Sequence, residues 1–217
     1  MTARSWTVAY TFAMDDRSLV QEATGAPLQL GMLLLTGGES RRYGAPKHLQ
    51  SHPEGGTWAG HLAKVFEELF PVGPVQILGA PIQERPELGS LDDPHLGPAR
   101  ALAHWAALAP QVASHWWVVA CDQIRWTTPR LAHWLAAVQQ HDPKGEMWIL
   151  ADHEGRTQYL GGILGARLLP LVAASRAASL RDLAAALPCC HLPADGPEWR
   201  DVDCPKDLSD LAYTPGN

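Results

Sequence analysis

The sequence has few cysteines and no long apolar run, and both shortages exclude classes of protein. Its four cysteines show no C-x-x-C spacing of the kind that holds zinc, and the adjacent Cys189 and Cys190 cannot easily bridge each other. We therefore expect buried thiols in a reducing compartment, with zinc or redox chemistry as the alternative. No apolar run approaches a membrane span and no signal peptide is indicated, so we expect a cytoplasmic protein with no membrane partner.

Charged residues are also sparse. They make up 18% of the 217 residues, and the formal net charge of -6 argues against a nucleic-acid binder with a broad basic surface. A small phosphate site needs only two or three positioned cations and is compatible with this balance. Hydrophobic residues make up 46%, which is ordinary for a folded protein with a sizeable core. We expect most of the nine tryptophans to lie in that core or to line a cleft.

Short apolar runs alternate with helical patterns along the chain, as in βαβ units. Strands are predicted over 28–35, 75–78, 116–120 and 147–151, and helices over 58–70, 98–108, 129–140, 167–174, 179–187 and 205–211. The apolar runs are nearly continuous, which favours a largely parallel sheet covered on both faces. We predict a single-domain, Rossmann-like three-layer α/β sandwich over 30–213. Residues 1–29 are predicted to form an N-terminal extension or an added strand over 7–12.

The segment after the first predicted strand carries the strongest chemical signal. Gly37 and Gly38 let the backbone approach a ligand closely and turn N–H groups toward phosphate oxygens, and Ser40 adds a hydroxyl. Arg42 and Lys47 supply two cations that suit a triphosphate. No G-K-[ST] ends the segment, so it is not a Walker loop. Ligands bind beyond the carboxyl ends of strands in open α/β sheets, and we therefore predict a phosphate site here, with an ordinary strand-to-helix turn as the alternative.

Carboxylates near the end of other strands point to a metal ion. Asp122 comes directly after the third predicted apolar run, although a lone Asp there is often only a helix cap or turn residue. Asp201 and Asp203 alternate along a predicted strand over 199–202, so one of the two is expected to face the site. Because Mg²⁺ sites in proteins combine one or two carboxylates with substrate phosphates, we predict Mg²⁺ at Asp122, with either Asp201 or Asp203 as the second carboxylate.

Residues 34–49 resemble the signature of the molybdenum cofactor guanylyltransferase family, roughly L-x-G-G-x-S-x-R-M-G-x-D-K. Later blocks resemble the family in the same order: Asp92-Asp93 before Gly97-Pro98, 118–122, 156–160, 179–183 and 201–208. The resemblance covers about 30–211. The chain departs from the family pattern at Tyr43 (usually Met), Pro46 (Asp), Ala101 (Gly), Gln123-Ile124 (Met-Pro) and Asp203 (Asn). Related cytidylyltransferases often carry Asp at the last of these positions.

The resemblance implies a nucleotide-diphospho-sugar transferase type of fold. It also implies a Mg²⁺-dependent transfer of GMP from GTP, or from another NTP, to molybdopterin, with molybdoenzyme maturation proteins as further partners. Arg42 and Lys47 then take the catalytic positions, and Asp122 and Asp203 hold the Mg²⁺. The nucleotide contacts fall on Leu35, Thr36, Gly37, Gly38, Ser40, Lys47, Asp92, Asp93 and Gly97. Two alternatives stay open. One is a cytidylyltransferase or another phosphate-acceptor enzyme of the superfamily, and the other is a non-catalytic relative that binds a nucleotide or cofactor.

Overall fold

Strands and helices alternate in the computed structural model, which describes residues 29–38 and 43–208. The strands are β1 (Leu30–Leu35), β2 (Val75–Leu78), β3 (His115–Ala120), β4 (Trp148–His153), β5 (Arg156–Gly165) and β6 (Cys189–Pro193). The helices are α1 (Trp58–Leu69), α2 (Pro98–Leu108), α3 (Thr128–His141), α4 (Leu169–Ala174) and α5 (Leu180–Ala185). The predicted strand over 7–12 and the end of the predicted domain, 209–213, lie outside the described residues.

The strands of the described chain form one six-stranded sheet in the order β2-β1-β3-β5-β4-β6. β1 pairs in parallel with both β2 and β3, and β4 pairs in parallel with β6. β5 runs antiparallel to its neighbours β3 and β4. The predicted α/β fold with a mostly parallel sheet is therefore confirmed, with β5 as the reversed strand.

Both faces of the sheet are covered, which explains the nearly continuous apolar runs. Met32 and Leu34 point to one face, where they meet the buried sides of α1 and α3. The intervening Leu33 points to the other face, where α2, α4 and α5 pack. The result is the expected sandwich of helix, sheet and helix layers. None of the helices in the described part is both long and apolar enough to cross a membrane.

The eight tryptophans among the described residues are all buried, as expected for core residues. Four of them form a chain of edge-to-face contacts in which Trp199 lies 4.8 Å from both Trp126 and Trp134, measured between ring centroids. Trp126 in turn lies 5.4 Å from Trp117 on β3. These contacts fix the segment that follows Trp199 against the sheet, and that segment carries Asp201 and Asp203.

One predicted strand is wrong, and two observed strands were not predicted. The strand predicted over 199–202 is wrong: a 3-10 helix, Pro197–Trp199, is followed by irregular backbone. The backbone N–H of Val202 donates to the Asp122 carbonyl (3.0 Å) instead of joining a sheet ladder. β5 and β6 were not predicted, because β5 begins with polar residues and contains Gly161 and Gly162, while β6 is short and ends in Pro193.

The carboxylate of Asp142 stabilises the connection between α3 and β4, and its removal tests that role. Its carboxylate is buried and accepts hydrogen bonds from the backbone N–H groups of Glu146 (2.9 Å) and Met147 (2.8 Å). We predict that Asp142→Ala lowers the free energy of unfolding by about 3 kcal/mol, since bonds to a charged acceptor are the stronger kind. Urea denaturation measures the loss. Asp152→Ala, at an exposed position on β4, serves as control, and equal losses in the two variants would contradict this role.

Candidate active site

The carboxyl ends of β1, β2 and β3 open side by side at one edge of the sheet, because these strands are parallel. Thr36 follows β1, and its N–H donates to the Leu78 carbonyl (3.0 Å) at the end of β2. Cys121 follows β3, and its N–H donates to the Leu35 carbonyl (3.0 Å). The glycine-rich segment and Asp122 therefore begin next to each other, at the edge where open α/β sheets bind ligands.

Lys47 lies between two carboxylates. Its Nζ is 2.9 Å from Asp122 Oδ2 and 3.1 Å from Asp203 Oδ1, while Lys47 itself is only 9% exposed. Burial lowers the pKa of Lys47, but the hydrogen bonds and charges of the two carboxylates outweigh burial, so its pKa is raised. Lys47 is therefore a permanent cation near neutral pH.

A small apolar cluster lies beside these charged side chains. It consists of the buried Trp58, Ile124 and Val202, with Tyr43 and Leu208 packed against them. The rings of Tyr43 and Trp58 meet edge to face with centroids 5.1 Å apart. Ile124 follows Asp122 by two residues and Val202 directly precedes Asp203, so the cluster joins the segments that carry both carboxylates. The position at which the resembled family usually has Met is thus filled by a larger side chain, Tyr43, that packs in this cluster.

The two carboxylates suit a divalent cation. Asp122 and Asp203 each place an oxygen within 3.1 Å of one point, at present the Lys47 Nζ, and hard divalent cations prefer such oxygen ligands. The Asp201 carboxyl lies close enough to interact with the charges of both aspartates. Desolvation of its carboxyl group raises the pKa of Asp201 to about 7, although part of the residue is exposed, and the charges of Asp122 and Asp203 act in the same direction. Asp201 is therefore partly protonated near neutral pH.

A cavity of about 730 Å³ lies beside this charged group, a size suited to a small organic ligand. Five predicted nucleotide-binding residues line it: Thr36, Gly37, Gly38, Asp92 and Asp93. Half of the twelve lining residues are glycine or alanine, so backbone groups can approach a ligand there. His48 and His95 also line the cavity, and no sequence motif singled them out.

Seven predicted site residues do not line this cavity or cannot be placed. Three of them, Lys47, Asp122 and Asp203, form the charged group beside it. Leu35 is the last residue of β1, and Gly97 is the N-cap of α2; both lie outside the cavity lining. Ser40 and Arg42 fall outside the described residues. Ala101, which departs from the family's Gly, is 2% exposed and packs in the core between α2 and the sheet.

The long loop between β2 and α2 reaches the cavity because it adds a short parallel bridge beside β2. Leu91 donates its N–H to the Ile77 carbonyl and accepts from the Gly79 N–H, both at 2.8 Å. Asp93 follows, and one of its carboxylate oxygens accepts the His95 N–H (2.8 Å). The other oxygen occupies the space where a Cβ on residue 37 would project, so a side chain at Gly37 would require the Asp93 carboxylate to move.

Gln123 is a structural residue that the sequence reasoning did not identify. It is 1% exposed, its Nε2 donates to the Leu160 carbonyl (3.1 Å), and its Oε1 accepts from the Ala120 N–H (3.3 Å). These bonds tie the end of β3 to β5 directly beside Asp122. No short sequence motif predicts a buried glutamine whose amide oxygen and nitrogen both bond backbone groups.

Comparison with known proteins identifies a family and a shared fold. The profile of the MobA-like NTP transferase domain family matches residues 32–190. No protein with a curated description matches the sequence significantly. Among solved structures, Rv0371c from Mycobacterium tuberculosis H37Rv is 18% identical with a TM-score of 0.63, covering 87% of this chain and 100% of that one. A manganese complex of Rv0371c is 17% identical (TM-score 0.59, 84% and 97% covered).

A third solved structure broadens the comparison. It is 2-C-methyl-D-erythritol 4-phosphate cytidylyltransferase from Thermus thermophilus, at 15% identity and a TM-score of 0.58. The alignment covers 86% of this chain and 100% of that enzyme. At such low identities these structures establish the shared fold and nothing finer.

The close approach of the two glycine turns provides a test. A Cβ on Gly79 would lie 2.5 Å from the Gly37 nitrogen and 2.9 Å from its Cα, at a φ of +114°. We predict that Gly79→Ala displaces the glycine-rich segment and lowers nucleotide turnover roughly 100-fold, since small misplacements at a reacting centre are costly. The control is Gly89→Ala, where φ is also positive (+61°) but nothing lies within 4 Å. Equal activity in the two variants would contradict the proposed role of this contact.

Proposed function

Because this chain belongs to the family of MobA-like NTP transferase domains, we propose that it is a molybdenum cofactor guanylyltransferase. In this reaction a phosphate oxygen of molybdopterin attacks the α-phosphorus of GTP, and the bond from that phosphorus to the β-phosphate oxygen breaks. GMP is transferred and pyrophosphate leaves. The observation that carries the proposal is the Lys47 ammonium held between Asp122 and Asp203 beside the glycine-lined cavity.

Such phosphoryl chemistry depends on positioning and charge stabilisation more than on covalent catalysis. In the proposal, the backbone at Gly37 and Gly38 and the Ser40 hydroxyl hold the triphosphate. Arg42 and Lys47 offset the charge that builds up toward pyrophosphate. The raised pKa of Lys47 supports its role, since the side chain keeps its proton throughout the reaction.

Asp122 and Asp203 are the residues that would hold Mg²⁺. When bound, the ion offsets negative charge on the substrate phosphates. The manganese complex of Rv0371c supports a divalent cation in a protein of this fold. The closeness of the two carboxylates, each of which bonds the Lys47 ammonium, supports the same assignment in this chain.

A second candidate is a cytidylyltransferase that uses CTP. Asp203 favours it, because cytidylyltransferases often carry Asp at this position where the guanylyltransferases have Asn. A third interpretation, a relative that binds nucleotide without turnover, is less well supported because the chain retains Arg42, Lys47 and Asp122. In the leading proposal the partners are GTP, molybdopterin and molybdoenzyme maturation proteins, and the compartment is the cytoplasm.

The metal assignment predicts a specific loss in Asp122→Asn. Asparagine keeps the shape of the side chain but removes the charge, so turnover should fall roughly 100-fold or more, and half-maximal activity should require more Mg²⁺. Steady-state assays of pyrophosphate release over a Mg²⁺ titration measure both effects. Asp152→Asn on β4 is the control. Wild-type behaviour in Asp122→Asn with loss in Asp203→Asn would make Asp203 the principal ligand, and no loss in either would leave Asp122 a turn residue.

Base selection gives a further prediction. A carboxylate is the natural acceptor for the exocyclic amine and ring N–H of guanine, and Asp92 and Asp93 both line the cavity. We predict that GTP has a higher kcat/KM than ATP or CTP, and that Asp92→Ala or Asp93→Ala reduces this preference roughly 10- to 100-fold. Asp93→Ala should also loosen the loop, because Asp93 holds the His95 N–H. A clear preference for CTP would overturn guanine but spare nucleotidyl transfer, whereas failure to bind any NTP would overturn both.

A further inference from the structure

We propose that His52 and His61 are positioning residues that hold the segment after Asp122, through two hydrogen bonds from a stacked pair of imidazole rings. This inference rests on the proposed function, since it concerns the placement of Asp122. Neither histidine lines the nucleotide cavity. We call the two rings and their bonds to segment 124–126 the imidazole clamp.

In the imidazole clamp, two buried and stacked rings bond the same backbone segment. His52 precedes α1 and His61 lies in its first turn, and each is 8% exposed. Their rings stack with centroids 3.6 Å apart and planes 11° from parallel. Nε2 of His52 lies 3.2 Å from the Ile124 carbonyl oxygen, and Nε2 of His61 lies 2.9 Å from the Trp126 carbonyl oxygen. The two histidines thus bond alternate carbonyls of one segment.

These contacts determine which ring nitrogens carry hydrogen. A carbonyl only accepts, so Nε2 of each ring must be the donor. Nδ1 of His52 accepts the Glu54 N–H (3.1 Å) and therefore carries no hydrogen, which makes His52 neutral. Burial lowers the pKa of both rings, that of His52 to about 4. Two neutral rings stack without charge repulsion, so the imidazole clamp is complete near neutral pH.

The segment that the clamp holds needs an external constraint. Residues 121–127 belong to no helix or strand, yet Asp122 must reach Lys47 at 2.9 Å. The chain has Gln123-Ile124 where the resembled motif has Met-Pro, so it lacks the fixed φ that proline would give. Hydrogen bonds at Ile124 and Trp126 supply a constraint from α1 and the turn before it.

A metal site is the rival interpretation of the same side chains. Ligand atoms of His52, Glu54 and His61 lie within 4.8 Å of one another. However, the two rings are nearly parallel, so one ion cannot lie in both ring planes, as imidazole ligation requires. Nδ1 of His52 is also already bonded to the Glu54 N–H. The contacts therefore favour the clamp, and metal binding becomes an outcome of the test.

The test compares variants that keep or remove the donor. Glutamine presents an amide N–H near the position of Nε2, whereas leucine keeps apolar volume without a donor. We expect His52→Leu and His61→Leu to lower kcat about 10- to 100-fold while KM for the NTP changes little, since the cavity is intact. The Gln variants should recover most of the activity. His133→Leu, at an exposed position on α3, is the matched control.

Three results would overturn the proposal. Activity in the Leu variants that matches the control would show that the donors are not needed. Equal loss in the Leu and Gln variants would show that the rings only fill space. Stoichiometric Zn²⁺ binding by calorimetry, abolished in His61→Leu, would make the group a metal site.

Nitrogen NMR of the wild-type protein tests the clamp even if no variant folds and even if the proposed function fails. Both rings should show the neutral form with hydrogen on Nε2 near pH 7. A ring that carries its hydrogen on Nδ1 and none on Nε2 would contradict the imidazole clamp, whatever reaction the protein catalyses.

Discussion

The bonding of Lys47 to both Asp122 and Asp203 brings together parts of the chain that are 75 and 156 residues apart in sequence. A nearly buried ammonium is costly unless it is paired, so these carboxylates are what allow Lys47 to lie in the cleft. In turn, the lysine offsets the repulsion between two close carboxylates. The charged group therefore forms only when β1, β3 and the segment after Trp199 are all in place.

The fold supplies this arrangement through apolar contacts rather than through further charges. Parallel pairing of β1 and β3 brings their carboxyl ends together, and the small apolar cluster around Ile124 and Val202 aligns the two aspartates. The contacts of Trp199 with Trp126 and Trp134 fix the backbone segment that leads from Trp199 to Asp203. Rigid packing beneath a polar cleft is how enzymes hold charged groups in position, so that little reorganisation is needed during reaction. The imidazole clamp extends the same principle to the backbone after Asp122.

Much of this could be predicted from the sequence, because βαβ units have strong local signatures. The bounds of β2 and α2 were predicted to the residue, and Lys47 and Asp122 were identified from their places after apolar strands. Asp203 was identified on a false premise, since its segment is not a strand: the bond from Val202 to Asp122 is a long-range contact without a periodic pattern. β5 escaped prediction because its glycines accommodate bulky neighbours, as at Gly161 against Trp199. Gln123, His52 and His61 were missed because each bonds a backbone group distant in sequence, and such contacts leave no periodic pattern.

The most direct measurement is pyrophosphate release from each of the four NTPs in the presence of molybdopterin, with and without Mg²⁺, by the wild-type protein and by Lys47→Ala. The account predicts Mg²⁺-dependent release, fastest with GTP, and a loss of roughly 10- to 1,000-fold in the variant, the range expected when a preorganised cation is removed. Circular dichroism should show an unchanged fold, because the core lies elsewhere. Release by Lys47→Ala at the wild-type rate would contradict the account, since Lys47 would then have no part in the reaction.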